Sequence, residues 1–245
     1  RYALALLLDD DNSDSQISIE KFDDVAFVDG NTPIERIQLK HHVRKAGNLT
    51  DKSTDLWRTL KVWLDVVSKS PDIIEGTEFL IITTASAPNN TVAFSLRKEN
   101  RSQRDADMID ALYEKLKGVC TDSESQGNKK FYEAFLAADE KLAKGLINKI
   151  YILDNASNIV DVEKSIRKQV RYSCDRKYED KVMERLEGWW YRKAIEGLCS
   201  DTPIFISQDQ VRSYIVSTGQ EYAADNLPID IFDLGDDQTN ESSAI

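Results

Sequence analysis

The sequence contains few residues of the kinds that bind transition metals or form disulfides. Its 245 residues include only three cysteines and two histidines. Cys120, Cys174 and Cys199 lie far apart and form no C-x-x-C pair, which argues against a zinc site and against a disulfide framework. A cytoplasmic protein with ordinary thiols is the simplest interpretation.

Long hydrophobic runs are also absent. No apolar stretch approaches the roughly 20 residues that a membrane span requires, so we expect no membrane association. The opening stretch RYALALLLDD lacks the positive lead and the small-residue cleavage site of a signal peptide, and we expect a helix at residues 2–8. The composition, with 41% hydrophobic and 31% charged residues, is typical of a globular protein that buries a full core.

Acidic residues outnumber basic ones, 43 to 32, but the two kinds are unevenly distributed along the chain. The formal net charge is -11, of which residues 201–245 contribute -8 through nine acidic residues and one arginine. Residues 36–61 instead carry seven Lys or Arg and two Asp, a local charge of +5. A polyanionic partner is therefore compatible with this stretch, although basic helix faces are usually just solvated.

Hydrophobic periodicity predicts an α/β fold. β-branched and aromatic residues recur over 17–28 as in a strand, and the turn DGNTP leads to a second strand, IERIQLKHH, which suggests a hairpin. Apolar runs at EFLIITTA and NKIYILD predict buried strands, while TVAFSLR fits either a short strand or a helical stretch. We expect helices at 53–70, 102–118, 129–145, 159–172, 178–198 and 207–223.

This order of elements indicates a mixed β-sheet core flanked by helices and followed by a helical C-terminal segment. We predict a core at residues 1–172, a helical assembly or partner-binding segment at 173–234, and an acidic flexible tail or linker at 235–245. Trp57, Trp63, Trp189 and Trp190 are interpreted as core residues.

A candidate reactive cluster lies on the hairpin. Alternate side chains share one face of a strand, so Gln38 and Lys40 fall together. If the hairpin pairs with Asp24 facing them, a carboxylate, an amide oxygen and an ammonium group converge. The two oxygens suit a magnesium ion, which polarises a phosphodiester and activates water, and Lys40 could stabilise the developing charge.

The segments FDDVAFV and IQLKHH, followed by the tryptophan-bearing helix LTDKSTDLWRTLKVWL, resemble the PD-(D/E)XK nuclease core in its Mrr-like form, in which Gln replaces the second acidic ligand. More narrowly, they are similar to the endonuclease domain of effector proteins in bacterial anti-phage systems of the CBASS and Lamassu types. LEGWWYRKAIEGL and YAADNLPIDIFD resemble the helical continuation of that group. The resemblance spans residues 2–233, and its diagnostic part is 17–64.

The resemblance implies a restriction-endonuclease-like fold and a DNA endonuclease that uses Mg²⁺ or Mn²⁺ to hydrolyse double-stranded DNA. Asp24 and Gln38 would be metal ligands and Lys40 the catalytic cation. Asp23 is an alternative to Asp24, and Glu20 is a further possible ligand. CBASS effectors of this kind carry an additional domain that senses a cyclic oligonucleotide, for which this sequence has no room. We therefore expect control by an SMC-like ATPase, another defence subunit or homo-oligomerisation.

Other residues near the motif suit contacts with DNA. His42 shares the face of Gln38 and Lys40, whereas the adjacent His41 points the other way, so the two cannot easily share a metal. Phosphate contacts are predicted for residues that serve equally well as solubilising charge: Arg44, Lys45, Lys52 and Arg58. The alternative functions are an inactive nuclease-like adaptor that links DNA to an SMC-type ATPase or another defence subunit, and a scaffold that contacts only protein.

Overall fold

The structure of the protein is a computed structural model that describes residues 1–12, 14–19, 24–30, 32–40, 47–157 and 159–223. The helices in these ranges are α1 (Tyr2–Asp9), α2 (Thr54–Lys69), α3 (Ile73–Gly76), α4 (Val92–Ser95), α5 (Ala106–Asp122), α6 (Lys129–Ala137), α7 (Glu140–Lys149), α8 (Ile159–Val170), α9 (Glu179–Cys199) and α10 (Gln208–Gln220). The strands are β1 (Gln16–Ile19), β2 (Val25–Asp29), β3 (Thr32–Lys40), β4 (Glu78–Thr83), β5 (Ile150–Leu153) and β6 (Ile206–Ser207).

The strands form one mixed sheet in the order β5, β4, β3, β2, β1, β6. β3, β4 and β5 are parallel, whereas each pairing from β3 through β2 and β1 to β6 is antiparallel. Because parallel neighbours need crossover connections, α2 joins β3 to β4, and α5, α6 and α7 lie between β4 and β5. The predicted α/β fold, a mixed sheet flanked by helices, is confirmed. We call the edge where β3, β4 and β5 end the carboxyl edge.

Each face of the sheet is covered by a layer of helices. α2, α5, α6 and α7 pack on one face, and α1, α8, α9 and α10 pack on the other. β4 contributes to both cores, because Phe79 and Ile81 join the first cluster while Leu80 and Ile82 join the second. This two-sided burial explains why the strand is a continuous apolar run without polar alternation.

Packing of its apolar face holds α2 against the sheet. Leu56, Leu60, Trp63 and Val67, the residues predicted to share one face, are all buried. Trp57 adds an edge-to-face contact with Tyr132 of α6, with ring centroids 4.7 Å apart. Of the other predicted core tryptophans, Trp190 is buried in the second core, and Trp189 is partly buried and packs against that core.

The single strand predicted over residues 17–28 is wrong. β1 ends at Ile19 and β2 begins at Val25, and these two residues are paired in an antiparallel ladder. The chain therefore reverses direction between them, where the sequence EKFDD replaces β-branched residues with four charged ones. The alternation that placed Glu20 and Asp24 on one face of a continuous strand consequently does not apply.

Several predicted helices have different bounds, for reasons visible at their ends. The helix predicted over 129–145 is two helices, because Asp139 caps α7 by accepting a hydrogen bond from the Leu142 N–H at 2.9 Å. The helix predicted at 102–118 starts later, after Asp105, which caps α5 in the same way. The TVAFSLR stretch contains the short helix α4, and the two-residue strand β6 was not predicted.

The described part of the C-terminal segment packs against the core. α9 and α10 share the second core cluster with α1 and α8, and β6 pairs with β1. Gly219 in α10 packs directly against the backbone of Ser173. A Cβ at position 219 would lie 2.1 Å from the Ser173 carbonyl oxygen, so only glycine fits. The domain bounds and the assembly role stay predictions, and the tail at 235–245 lies outside the described residues.

No helix in the described part of the chain is both long and apolar enough to span a membrane.

Glu35 on β3 gives the fold a pH dependence. Burial raises the pKa of its carboxyl above the ordinary value of 4.5, and the nearby Glu78 and Asp10 carboxylates raise it further, against the opposing effect of Lys98. The folded state therefore favours the protonated form. Relative to the ionised carboxylate, the protonated carboxyl stabilises the folded state. This stabilisation is fully present below the unfolded-state pKa and is lost as the pH rises through the folded-state pKa.

We therefore expect Glu35→Gln to increase the free energy of unfolding at pH 7, and the increase to vanish near about pH 3.5, where the wild-type carboxyl is protonated in both states. Urea denaturation at the two pH values measures this difference. Glu133→Gln on the exposed face of α6 is the control. A Glu35→Gln protein less stable than wild type at pH 7 would contradict the assignment.

Candidate functional site

The register of the β2–β3 hairpin brings the predicted residues together. Val25 pairs with Ile37, so Asp24, one residue before β2, lies opposite Gln38, one residue further along β3. Lys40 is the last residue of β3. All three residues therefore lie at the carboxyl edge, where open α/β sheets commonly bind ligands.

Three hydrogen bonds connect the cluster. The Leu39 backbone N–H donates to Asp24 Oδ2 at 2.8 Å, and Gln38 Nε2 donates to Asp24 Oδ1 at 3.3 Å. Lys40 Nζ donates to Gln38 Oε1 at 2.7 Å. The carboxylate is thus held by the backbone of β3, and the Gln38 amide bridges the carboxylate and the ammonium group.

The degree of burial separates the roles of these residues. Gln38 is buried, with 8% of its surface exposed, whereas Asp24 and Lys40 are half-buried. A buried amide needs partners for both its oxygen and its nitrogen, and the two charged residues supply them. Gln38 therefore fixes the relative position of an anion and a cation that solvent still reaches.

The donor set fits a hard divalent cation of the magnesium type. Mg²⁺ takes oxygen ligands and keeps several waters, so one carboxylate and one amide oxygen are sufficient protein ligands when phosphate is also present. Rotating the Gln38 amide by half a turn places Oε1 beside the Asp24 carboxylate, and a cation would relieve the repulsion between these oxygens. The same rotation removes the oxygen that Lys40 now binds, so cation binding and the Gln38–Lys40 hydrogen bond compete.

A metal site built from several acids and histidines is not found among the residues that the structure describes. These residues include no group of three or more His, Cys, Asp or Glu side chains placed to hold one ion. The alternative ligands Glu20 and Asp23 lie outside the described residues. The oxygen ligands of Asp24 and Gln38 suit magnesium, whereas zinc prefers three or four nitrogen or sulfur ligands.

Two of the predicted DNA contacts are described: Lys52 lies in the turn before α2, and Arg58 lies on the solvent side of α2. Lys52 and Arg58 are exposed. α2 starts near the carboxyl edge, because the crossover begins where β3 ends, and the preceding loop is tied to that edge by the Leu49 N–H, which donates to the Ser86 carbonyl oxygen at 2.7 Å. The other predicted contacts, His42, Arg44 and Lys45, lie outside the described residues, as does His41.

A cavity beside Asp24 was not predicted from the sequence. It has a volume of about 620 Å³ and lies between the start of α1, the middle of α9 and the sheet. Asp24, Leu39 and Trp190 are among its lining residues. The sequence offered one relevant feature, the aromatic run Trp189–Trp190–Tyr191, but no local pattern shows that α9 packs beside β1 and close to Asp24.

Comparisons with known proteins give little further information. No protein-family model matches the chain, and no curated protein matches it. The chain is similar to the solved structure of the Moraxella osloensis Cap4 SAVED/CARF-domain containing receptor, with 14% sequence identity and a TM-score of 0.47 over 90% of this chain. The match covers 46% of that protein, so the chain spans less than half its length. A likeness this distant carries no conclusion about activity.

The Leu39–Asp24 hydrogen bond contributes to the free energy of unfolding, and this contribution can be measured without any assay of activity. Asp24→Asn keeps an oxygen that accepts this hydrogen bond, so we expect the free energy of unfolding to change by less than about 1 kcal/mol. Asp24→Leu leaves a backbone N–H without its acceptor and should lower stability by about 1–3 kcal/mol. Urea denaturation measures both, with Asp29→Leu at the exposed end of β2 as the control. Equal losses in the two Asp24 variants would contradict this assignment.

Proposed function

We propose that the protein is a metal-dependent DNA endonuclease. The observation that carries the proposal is the convergence of Asp24, Gln38 and Lys40 at the carboxyl edge, joined by hydrogen bonds of 3.3 Å and 2.7 Å. A carboxylate and an amide oxygen next to a lysine suit the hydrolysis of a phosphodiester, which needs charge neutralisation and an activated water. The sequence resemblance described above assigns the same three residues to that chemistry.

The proposed roles follow from the positions of the side chains. Asp24 and Gln38 would hold the ion, with Asp24 kept in place by the Leu39 N–H. Mg²⁺ at this position would supply a Lewis acid for the phosphate and a bound water of lowered pKa. Lys40 would then donate to an oxygen of the phosphate on which negative charge develops during attack. In the absence of substrate, the Gln38 oxygen accepts that donor.

Basic side chains would hold the DNA across the carboxyl edge. Lys52 and Arg58 are exposed near the start of α2, and His42, Arg44 and Lys45 follow the motif directly in sequence. Contacts of this type position the phosphate backbone and do not select a sequence. We therefore propose double-stranded DNA cleaved with little sequence preference.

The biological context is proposed from the sequence resemblance. An unrestrained nuclease would degrade the host's own DNA, so we infer a cytoplasmic anti-phage effector whose activity is restrained. Homo-oligomerisation, an SMC-like ATPase or another subunit of the defence system would provide the restraint. The chain's α9 and α10 offer surface for such contacts.

The rival function, an inactive adaptor, is favoured by one observation. The residues that the structure describes include no group of three or more His, Cys, Asp or Glu side chains placed to hold one ion, and the nuclease proposal assigns only two protein ligands, Asp24 and Gln38. An adaptor would bind DNA through the same basic residues without hydrolysing it.

Cleavage of a supercoiled plasmid with Mg²⁺ or Mn²⁺ separates the two functions. We expect the wild-type protein to cleave, and Asp24→Asn and Lys40→Met each to lower the rate at least about 100-fold, because each removes a charge that acts in the transition state. Chelation by EDTA should abolish cleavage. Matched controls are Asp29→Asn on β2 and Lys69→Met at the far end of α2, and both should retain the wild-type rate.

Two results would contradict the nuclease. One is cleavage that persists unchanged in both site variants, which would indicate a contaminant or a different active site. The other is a plasmid that is bound but stays intact even with an activating partner subunit, which would establish the adaptor.

DNA affinity should depend on salt through Lys52 and Arg58. Each phosphate contact contributes a slope of about -0.9 to the plot of log K against log salt concentration. We expect Lys52→Ala and Arg58→Ala each to reduce the steepness of the slope by about 1, measured by fluorescence anisotropy with a DNA duplex. Lys69→Ala should leave it unchanged. A wild-type protein whose affinity is insensitive to salt would indicate a scaffold that contacts only protein.

A further inference from the structure

The cavity of about 620 Å³ adjoins the candidate site through Asp24. Asp24 accepts the Leu39 N–H, and the side chain of Leu39 lines the cavity. Gln38 and Lys40 alternate with Leu39 along β3, so they lie on the opposite face of the strand. One carboxylate therefore belongs both to the hydrogen-bonded cluster and to the wall of the cavity.

The walls of the cavity are mainly apolar and aromatic. Its volume falls in the range typical of small-molecule sites. Tyr191 of α9 is 67% exposed, whereas Trp190 is 6% exposed and is held in place by the second core. The other apolar and aromatic lining residues include Tyr2, Ile19, Val25 and Leu39.

A charged pair lies among these apolar walls. The Arg1 guanidinium and the Glu187 carboxylate both line the cavity and are 2.8 Å apart. Arg1 also pairs with Glu163 at 2.9 Å. Carboxylates from two helices, α8 and α9, therefore hold the Arg1 guanidinium in position. A ligand with a flat apolar body and hydrogen-bonding edges matches both parts of this lining, the aromatic rings and the ion pair.

We propose that the cavity receives one unstacked nucleobase of the DNA whose backbone lies at Asp24 and Lys40. This inference rests on the proposed function, because the proposed function places a DNA phosphate beside Asp24 and Lys40. A base is a flat heterocycle with donors and acceptors along its edge, and stacking on aromatic side chains is tolerant of sequence. Tyr191 would stack on the base, and Arg1 and Glu187 would meet its edge.

The proposal has a consequence for substrate choice. A base enters such a cavity only after leaving the duplex stack, which is easiest where the base is mismatched or unpaired. The protein should therefore prefer a duplex containing a mismatch over a fully paired duplex of the same length. A site that contacts only the phosphate backbone has no reason for this preference.

Binding and cross-linking test the proposal without requiring turnover. Lys40→Met protein is irradiated with a duplex in which 5-iododeoxyuridine occupies a mismatched position, and cross-linked peptides are identified by mass spectrometry. We expect cross-links in the tryptic peptide at residues 186–192, which contains Trp190 and Tyr191. The affinities for matched and mismatched duplexes are measured by anisotropy in parallel.

Tyr191→Leu and Tyr172→Leu form a matched pair, because Tyr172 is 79% exposed and does not line this cavity. Loss of base stacking should lower the preference for the mismatched duplex at least about fivefold in Tyr191→Leu and leave it unchanged in Tyr172→Leu. Cross-links confined to peptides outside the cavity would overturn the proposal. Equal affinities of the Lys40→Met protein for the matched and the mismatched duplex would also overturn it. A failure to cleave plasmid would count against the nuclease instead, since neither measurement here depends on hydrolysis.

Discussion

The hydrogen bond from the Leu39 amide to the Asp24 carboxylate determines where the candidate site lies. It continues the contact between β2 and β3 to the residue just before the start of β2, with a side chain acting as the acceptor in place of a backbone carbonyl. The carboxylate is thereby fixed beside Gln38, and the Gln38 amide in turn holds Lys40. The position of the ammonium group thus depends on a backbone contact two hydrogen bonds away.

The Gln38 amide gives this cluster two possible arrangements. In the arrangement observed, its nitrogen faces Asp24 and its oxygen faces Lys40. A bound cation would require the oxygen on the Asp24 side, and Lys40 would then lose its present acceptor and become available to a phosphate. A glutamate at this position would carry a second negative charge and two equivalent oxygens, so it could bind a cation and Lys40 together. In the proposed metal-bound state, the glutamine would therefore couple the release of Lys40 to cation binding more tightly than an acid would.

Much of the fold was predictable because its signals are local. The apolar run of β4, the amphipathic face of α2 and the turn before β3 each follow from a short stretch of sequence. The division of residues 17–28 into two antiparallel strands was missed, because β-branched residues on both sides of EKFDD support a strand without showing that the chain reverses. The pairing of Gln38 and Lys40 followed from alternation alone, whereas their approach to Asp24 depended on a register that the sequence only permitted. The cavity was not predictable, since α1, α9 and β2 meet there from distant parts of the chain.

The proposed function requires that Asp24 and Gln38 together hold a divalent cation. A crystal structure determined with Mn²⁺ and a short DNA duplex, with data collected at the manganese absorption edge, tests it most directly. We predict an anomalous peak in contact with an Asp24 carboxylate oxygen and Gln38 Oε1, and a Lys40 Nζ that has moved from Gln38 to a phosphate oxygen. A manganese ion bound elsewhere, with the Gln38–Lys40 hydrogen bond intact beside the bound DNA, would contradict the account.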